Sequence, residues 1–172
     1  LQRMRAQRAE VDELIRGFVA RSELQETQEA EEKARGAMAL GAFARLKGQL
    51  GLPLEGTVVG EWGRVKDAET GLYVFRKGIE IQSGEPIPVE VRSVAAGRVV
   101  FVGPLGDYGR AVVLDHGENH YTLTGRLGKT ALVLGTFVRA GEVIGYSFPR
   151  KPLYFEIRAG RTPVNPLQWT KR

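Results

Sequence analysis

The sequence predicts a mainly β domain preceded by an α-helical N-terminal segment. Before residue 51, apolar residues recur at helical spacing in a charged background. All eight prolines and most of the 22 glycines come after that point. There they separate short apolar runs, a pattern typical of antiparallel sheets. We therefore place the domain boundary at Gly51, with a helical segment over residues 1–50 and a β domain over residues 51–172.

Composition excludes several classes of protein. The 172 residues are 42% hydrophobic and 26% charged, which is typical of a globular domain, and no run is apolar enough to span a bilayer. The chain has no cysteine and two histidines, which excludes disulfide frameworks and cysteine nucleophiles and leaves few zinc ligands. The net charge of +5 is spread along the chain, which argues against a nucleic-acid partner. The first residue is Leu1 and no signal-peptide core follows, which is typical of a processed fragment.

Two apolar stripes define the helical segment. The first stripe consists of Val11, Leu14, Ile15, Phe18 and Val19. Residues 23–35 are good helix formers with few large apolar side chains. The second stripe consists of Ala39, Phe43, Leu46 and Leu50. Glycines interrupt this second stripe, so it needs a partner surface. Two interpretations stay open: ordinary packing or the end of a coiled coil, and a detachable regulatory arm.

Eight short runs predict the strands of the β domain. They are Leu72–Phe75, Pro88–Val94, Arg98–Val102, Arg110–Asp115, His120–Thr124, Ala131–Leu134, Glu142–Tyr146 and Leu153–Arg158. Some runs are apolar on consecutive residues, which predicts burial on both faces of the strand. Glycine-rich turns at residues 106–109 and 117–119 separate neighbouring runs.

Several segments of the β domain carry a family resemblance. They are residues 76–80, 112–117, 121–127, 153–158 and 163–166, which read RKGIE, VVLDHG, YTLTGRL, LYFEIR and PVNP. In this order they resemble a LytM-type domain, the lysostaphin-like fold of zinc endopeptidases that cut peptidoglycan cross-links. The resemblance covers nearly all of the β domain and implies a LytM-like antiparallel sheet.

The functional positions of that family are altered in this sequence. Active members bind zinc through a His-x-x-x-Asp motif and the second histidine of His-x-His, and here Arg76, Glu80 and Tyr154 occupy those positions. A guanidinium cannot donate a lone pair, and a phenol is a poor substitute for imidazole. Pro152 and Arg126 replace the two family histidines that assist catalysis. We therefore expect a non-enzyme without zinc or another cofactor.

Neither histidine of the chain occupies a zinc-ligand or catalytic position of the family pattern. His116 ends one predicted strand, and His120 begins the next. A zinc site built on this pair would need Asp115 or Glu118 as a further ligand. Structural or surface roles are the preferred interpretation.

The degenerate motifs are similar to those of EnvC-like murein hydrolase activators. That resemblance implies a periplasmic protein of the division site that binds a helix of an N-acetylmuramoyl-L-alanine amidase. The groove residues expected to bind it are Lys77, Glu80, Tyr108, Arg126, Tyr154 and Arg158. The helical segment is expected to contact FtsEX, and its second stripe is expected to cover the groove as an autoinhibitory helix.

Three alternatives stay open at this point. A residual zinc endopeptidase would cut peptidoglycan without a partner. A degenerate groove could also bind peptidoglycan itself, with or without amidase activation. A periplasmic adaptor of an export pump is the third alternative, and the position of the helices before the β domain counts against it.

Overall fold

The structure is a computed structural model that describes the backbone of residues 2–39 and 42–171 and the side chains of residues 13–35 and 43–171. The chain divides into two compact units, Leu1–Lys33 and Ala34–Arg172. Helix α1 covers Gln2–Ala39, and the short helix α2 covers Ala42–Arg45.

The first unit consists of helical residues of α1, which confirms the helix predicted there. Of the first apolar stripe, Leu14, Ile15, Phe18 and Val19 are exposed to solvent, and Val11 lies outside the described side chains. No helix in the described part of the chain is both long and apolar enough to cross a bilayer. The unit therefore presents an uncovered apolar stripe.

The second unit is built from short antiparallel strands. Their bounds are β1 Thr57–Gly60, β2 Gly63–Lys66, β3 Tyr73–Arg76, β4 Ile79–Gln82, β5 Glu90–Arg92, β6 Gly97–Pro104, β7 Arg110–Asp115, β8 His120–Gly125, β9 Leu127–Lys129, β10 Phe137–Val138, β11 Val143–Ser147, β12 Leu153–Ala159 and β13 Thr162–Val164. Single 3-10 turns cover Gly106–Tyr108 and Pro166–Gln168.

These strands form three sheets. The largest has the order β1-β4-β12-β8-β7-β6-β10, with β13 paired to β12, and the smaller ones are β5-β11-β9 and the β2-β3 hairpin. Buried side chains of the large sheet, such as Ile81, Leu114 and Phe155, share one core with Val91 and Ile144 of the three-stranded sheet. The predicted mainly β, antiparallel domain is confirmed.

One predicted strand is wrong. Residues Ala131–Leu134 form a loop and turn, whereas the other predicted runs all contain strands. The Thr130 hydroxyl accepts a hydrogen bond from the Leu132 N–H at 3.2 Å and donates one to the Ile144 carbonyl at 2.7 Å. Val133 and Leu134 are exposed. Apolar residues at a loop tip here imitate the pattern of a strand.

The second apolar stripe forms less helix than its spacing predicts. After α2 the chain turns, and Gly48 takes a φ of 82°, which a helix interior does not allow. Leu50 then forms a parallel bridge to Thr170, with its N–H donating to the Trp169 carbonyl at 3.0 Å. Phe43 and Leu50 are each 2% exposed. The segment is therefore part of the core of the second unit.

Phe43 lies within an aromatic cluster that contains both histidines of the chain. Its ring stacks on His116 at a centroid distance of 4.6 Å and lies 5.1 Å from Trp169 and 5.4 Å from His120. His116 Nδ1 lies 2.7 Å from the Ala96 carbonyl, which can only accept, so Nδ1 carries the proton. Nε2 then accepts from the Thr122 hydroxyl at 2.8 Å. The cluster holds His116 as a neutral ring.

Stability should fall in mild acid because of this buried histidine. Burial lowers the pKa of His116 to about 4 in the folded protein, against about 6.5 in an unfolded chain. Between these values only the unfolded chain binds the proton, so the free energy of unfolding decreases as the pH falls. We expect His116 to account for a loss of roughly 2–3 kcal/mol, measured by urea denaturation at pH 7.5 and pH 4.5.

The variant His116→Asn is the control for this prediction. Asparagine keeps an N–H donor for the Ala96 carbonyl but does not titrate in this range. The loss between the two pH values should therefore become smaller in the variant. An unchanged loss would assign the acid sensitivity to other groups.

Candidate functional site

The candidate site is a groove in the second unit with a volume of about 710 Å³. The β2–β3 hairpin forms one wall, the 3-10 turn at residues 106–108 forms the other, and strands β4 and β12 supply the floor. The lining residues are Val65, Asp67, Val74, Phe75, Arg76, Lys77, Glu80, Leu105, Gly106, Asp107, Tyr108, Arg126 and Tyr154. The groove thus combines walls of apolar, aromatic and acidic residues with a charged floor.

Glu80 is the centre of the charged floor. Arg126 Nη1 donates to Glu80 Oε1 at 2.7 Å, and Arg76 Nη2 lies 3.9 Å from Glu80 Oε2. The Glu80 side chain is 19% exposed, whereas those of Arg76 and Arg126 are 29% and 41% exposed. Because the arginines are partly solvated, each pair should contribute at most about 1 kcal/mol to stability. The floor is therefore an Arg–Glu–Arg ion-pair cluster.

Local backbone geometry brings these side chains together. Arg76 and Glu80 lie on either side of the turn between β3 and β4. Arg126 separates β8 from β9 with a φ of 58°, and its N–H donates to the Tyr108 carbonyl at 2.6 Å. A left-handed residue between two strands redirects the chain, so the Arg126 side chain reaches Glu80.

Tyr154 lies beneath Tyr108 at the floor of the groove. Their ring centroids are 5.0 Å apart, and the Arg126 guanidinium carbon lies 5.7 Å from the Tyr154 centroid. Tyr154 is only 5% exposed, so the more accessible ring is that of Tyr108. Burial, together with the neighbouring Glu156 carboxylate, raises the pKa of Tyr154 far above its ordinary value. Its phenol therefore stays protonated.

The structure brings most of the predicted groove residues together. Lys77, Glu80, Tyr108, Arg126 and Tyr154 all line the groove. Arg158 does not line it, because the side chain reaches a neighbouring cavity of about 350 Å³ that shares Leu105 and Tyr108 with the groove. Arg158 thus lies in an adjoining cavity rather than in the groove itself, and its contact with the partner stays a prediction.

The other predicted positions lie elsewhere. Pro152 precedes β12 and is not a lining residue of the groove. Phe43, Leu46 and Leu50 pack with the hydrophobic core, and the side chain of Ala39 lies outside the described residues. None of the described side chains of the second apolar stripe lines the groove.

Sequence reasoning missed the hairpin wall. Val65, Val74 and Phe75 line the groove, and Phe75 packs edge-on against Trp62 at a centroid distance of 4.8 Å. The apolar run at Leu72–Phe75 predicted a strand, but the exposure of its side chains is visible only in the structure. At the hairpin turn, Asp67 Oδ1 accepts from the Thr70 N–H at 2.7 Å.

The floor does not fit a catalytic zinc ion. Glu80 could ligate a metal, but both of its oxygens face arginines that would repel a divalent cation. The neighbouring Tyr154 phenol stays neutral, and a neutral phenol is a poor metal ligand. Across the described residues, no group of three or more His, Cys, Asp or Glu side chains could hold a metal.

Restoring the family ligands should create a zinc site. We expect the wild-type protein to retain far less than one equivalent of zinc after equilibration and desalting. The variant Arg76→His/Glu80→Asp/Tyr154→His should retain about one, since it supplies three ligands on the same strands. Elemental analysis by mass spectrometry measures both. A full equivalent in the wild type that Glu80→Ala abolishes would contradict the ion-pair description of the floor.

The chain is similar in sequence to an activator of murein hydrolases and to a carboxypeptidase/endopeptidase, as their names state. The chain is similar to the murein hydrolase activator EnvC of Escherichia coli, with 33% identity over 137 residues that cover 77% of this chain and 31% of EnvC. It is also similar to the DD-carboxypeptidase/endopeptidase Mpg of Neisseria meningitidis, with 36% identity over 101 residues that cover 56% of this chain and 23% of Mpg. The chain therefore spans only about a quarter to a third of these relatives.

A solved structure and a family match complete the comparison. A zinc-containing peptidase from Vibrio cholerae has the same fold, with a TM-score of 0.60 and 20% identity over 70% of this chain and 40% of that one. Residues 74–166, more than half of the chain, match the family described as Peptidase family M23. This confirms the resemblance to a LytM-type, lysostaphin-like domain. The chain belongs to peptidase family M23.

Proposed function

We propose that this chain is a non-catalytic activator of a peptidoglycan amidase, and that its groove binds a helix of that amidase. One observation carries the proposal: an Arg–Glu–Arg ion-pair cluster and a buried tyrosine occupy the catalytic positions of the family, and the described residues of the second unit leave a groove above them. The similarity to the murein hydrolase activator EnvC supports the same function.

The chemistry of the floor favours binding over hydrolysis. Hydrolysis in a metallopeptidase needs a metal to polarise the substrate and a group that transfers a proton near neutral pH. The guanidinium groups of Arg76 and Arg126 have donors and no acceptor, and the raised pKa of Tyr154 keeps its phenol neutral. These groups supply neither a ligand set nor a general base.

The walls of the groove suit the apolar face of a helix. Val74 and Phe75 are 49% and 54% exposed, and both are lining residues of the groove. Covering exposed apolar side chains of a two-stranded hairpin with another surface removes them from water, which stabilises the hairpin and favours the complex. An amphipathic helix provides such a surface through side chains spaced three or four residues apart.

A charged side chain at the rim, Lys77, would set the position of the amidase helix along the groove. Arg76 and Arg126 are engaged with Glu80, whereas none of the ion pairs among the described residues involves Lys77. Lys77 is exposed and lines the groove. A carboxylate on the amidase helix would therefore form an ion pair with Lys77, and this ion pair would orient the helix in the groove.

In this proposal the second apolar stripe stays packed in the core, and the inhibitory arm to be tested is residues 1–33. Covering the groove with residues 39–50 would require Phe43 and Leu50 to leave the core, at about 1.5–3 kcal/mol for each side chain. A test of autoinhibition should therefore keep these residues and compare the full chain with residues 34–172. Stronger amidase activation by residues 34–172 would support inhibition by the arm, and equal activation would exclude it.

The wider setting follows from the same proposal. A protein that activates amidases acts where peptidoglycan is, so we place this chain in the periplasm at the division site. The helical segment, with its exposed apolar stripe, is the candidate contact for FtsEX. The groove could also contact peptidoglycan directly while the amidase is bound.

Release of dye-labelled fragments from purified peptidoglycan tests the function. The amidase alone should release little dye, and adding this protein should increase release several-fold. The protein without amidase should release none. Chelator-sensitive release by the protein alone would instead support the zinc endopeptidase alternative.

Two surface variants test the groove. Lys77→Glu reverses the charge at the rim, and Tyr108→Ala removes the accessible ring. Each should reduce amidase activation about tenfold or more, the size of effect expected at a central contact. Lys151→Glu is the matched control, because Lys151 is exposed and is not a lining residue of the groove. Wild-type activation by both groove variants would place the interface elsewhere.

A further inference from the structure

Strand β12 contains a buried carboxylate that the proposed function does not use. Glu156 is 0% exposed and lies between Tyr154 and Arg158 on the same face of the strand. Glu156 Oε2 accepts a hydrogen bond from the Tyr154 hydroxyl at 2.8 Å, and Oε1 accepts one from Arg158 Nε. Each oxygen thus holds one neighbouring side chain, and these two side chains reach different cavities.

Tyr154 links Glu156 to Tyr108, the more accessible tyrosine of the groove. Tyr154 is the ring against which Tyr108 packs, at a centroid distance of 5.0 Å. The backbone of Tyr108 is fixed separately, since its N–H donates to Leu105 and its carbonyl accepts from Arg126. With the backbone held at both groups, the packing against Tyr154 determines where the Tyr108 ring lies.

Stability alone does not explain why a buried position of β12 holds Glu156 rather than an apolar residue. An apolar side chain of similar volume often stabilises a protein as much as a buried ion pair does. Glu156 instead provides a directional acceptor that an apolar residue would lack. Its hydrogen bond to Tyr154 fixes the rotation of that side chain, which packing alone leaves less defined.

We propose that Glu156 is a positioning residue of the docking groove: it holds Tyr154, and Tyr154 holds the Tyr108 ring in the orientation that the partner helix contacts. This inference rests on the proposed function for the identity of the partner. Its physical content, the coupling from Glu156 to Tyr108, is a property of the free protein.

Three variants of the full chain separate positioning from general stability. Tyr154→Phe removes only the hydroxyl, and Glu156→Ala removes the acceptor. Glu156→Gln keeps the shape and one hydrogen bond to each neighbour, because its amide oxygen can accept from Arg158 while its N–H donates to the Tyr154 hydroxyl. Thr122→Val is the control, because it loses the buried hydrogen bond to His116, and Thr122 pairs with Ile157 rather than with Glu156.

Affinity for the amidase is the first measurement. Tyr154→Phe and Glu156→Ala should each weaken binding roughly fivefold, the size expected for one hydrogen bond. The double variant should bind no more weakly than Glu156→Ala, and Glu156→Gln should restore binding to within about twofold of the wild type. Thr122→Val should lower the melting temperature and leave affinity unchanged.

The tyrosine ring signals of the free protein are the second measurement. In ¹³C-labelled protein, Glu156→Ala should shift the ring resonances of Tyr108, whereas Glu156→Gln and Thr122→Val should not. If Glu156→Ala does not fold, Tyr154→Phe takes its place, and its affinity for the amidase and its Tyr108 ring signals are measured instead.

The outcomes distinguish the two proposals. Absence of binding between the wild type and purified amidases would overturn the proposed function, and the Tyr108 signals would then decide the positioning role alone. Wild-type affinity of Tyr154→Phe, or an equal loss of affinity in Thr122→Val, would overturn the positioning role. Unchanged Tyr108 signals in Glu156→Ala would overturn it as well.

Discussion

Burial of strand β12 on both faces is the constraint on which the groove depends. Leu153, Phe155 and Ile157 point into the core, while Tyr154 and Glu156 are buried on the opposite face, towards the groove. The strand is hydrogen-bonded to β4 on one side and β8 on the other. It cannot shift without exposing one face, and a one-residue slip would exchange the two faces. The core and the strand pairing therefore fix the backbone that carries Tyr154 in the groove floor.

Charge balance within the chain determines what this floor can do. In a metallopeptidase, ligands converge on a cation, and the cation drives the chemistry. Here the acidic side chain that remains, Glu80, is neutralised by Arg76 and Arg126 of the same chain. With the floor satisfied, the groups left for a partner are on the walls and rim: Lys77, Asp107, Tyr108 and the side chains of the β2–β3 hairpin.

Local patterns in the sequence predicted the fold, and the resemblance to a LytM-type domain predicted most of the floor. Alternation along a strand tells which side chains share a face, and the motif positions brought Glu80, Arg126 and Tyr154 together. The sequence could not predict that Tyr108 covers Tyr154, or that Arg158 reaches a second cavity, since these depend on how a loop folds over the sheet. The packing of Phe43 on His116 joins residues far apart in sequence, and helical spacing alone could not indicate that partner.

Mapping of the binding surface by NMR tests the central claim most directly. Unlabelled amidase is added to the ¹⁵N-labelled chain, and the shifted amide signals are assigned. We expect the largest changes at the β2–β3 hairpin, Lys77, Tyr108 and Arg126. Changes confined to surfaces away from the groove, or no changes at saturating amidase, would contradict the claim that this peptidase fold serves as a docking surface.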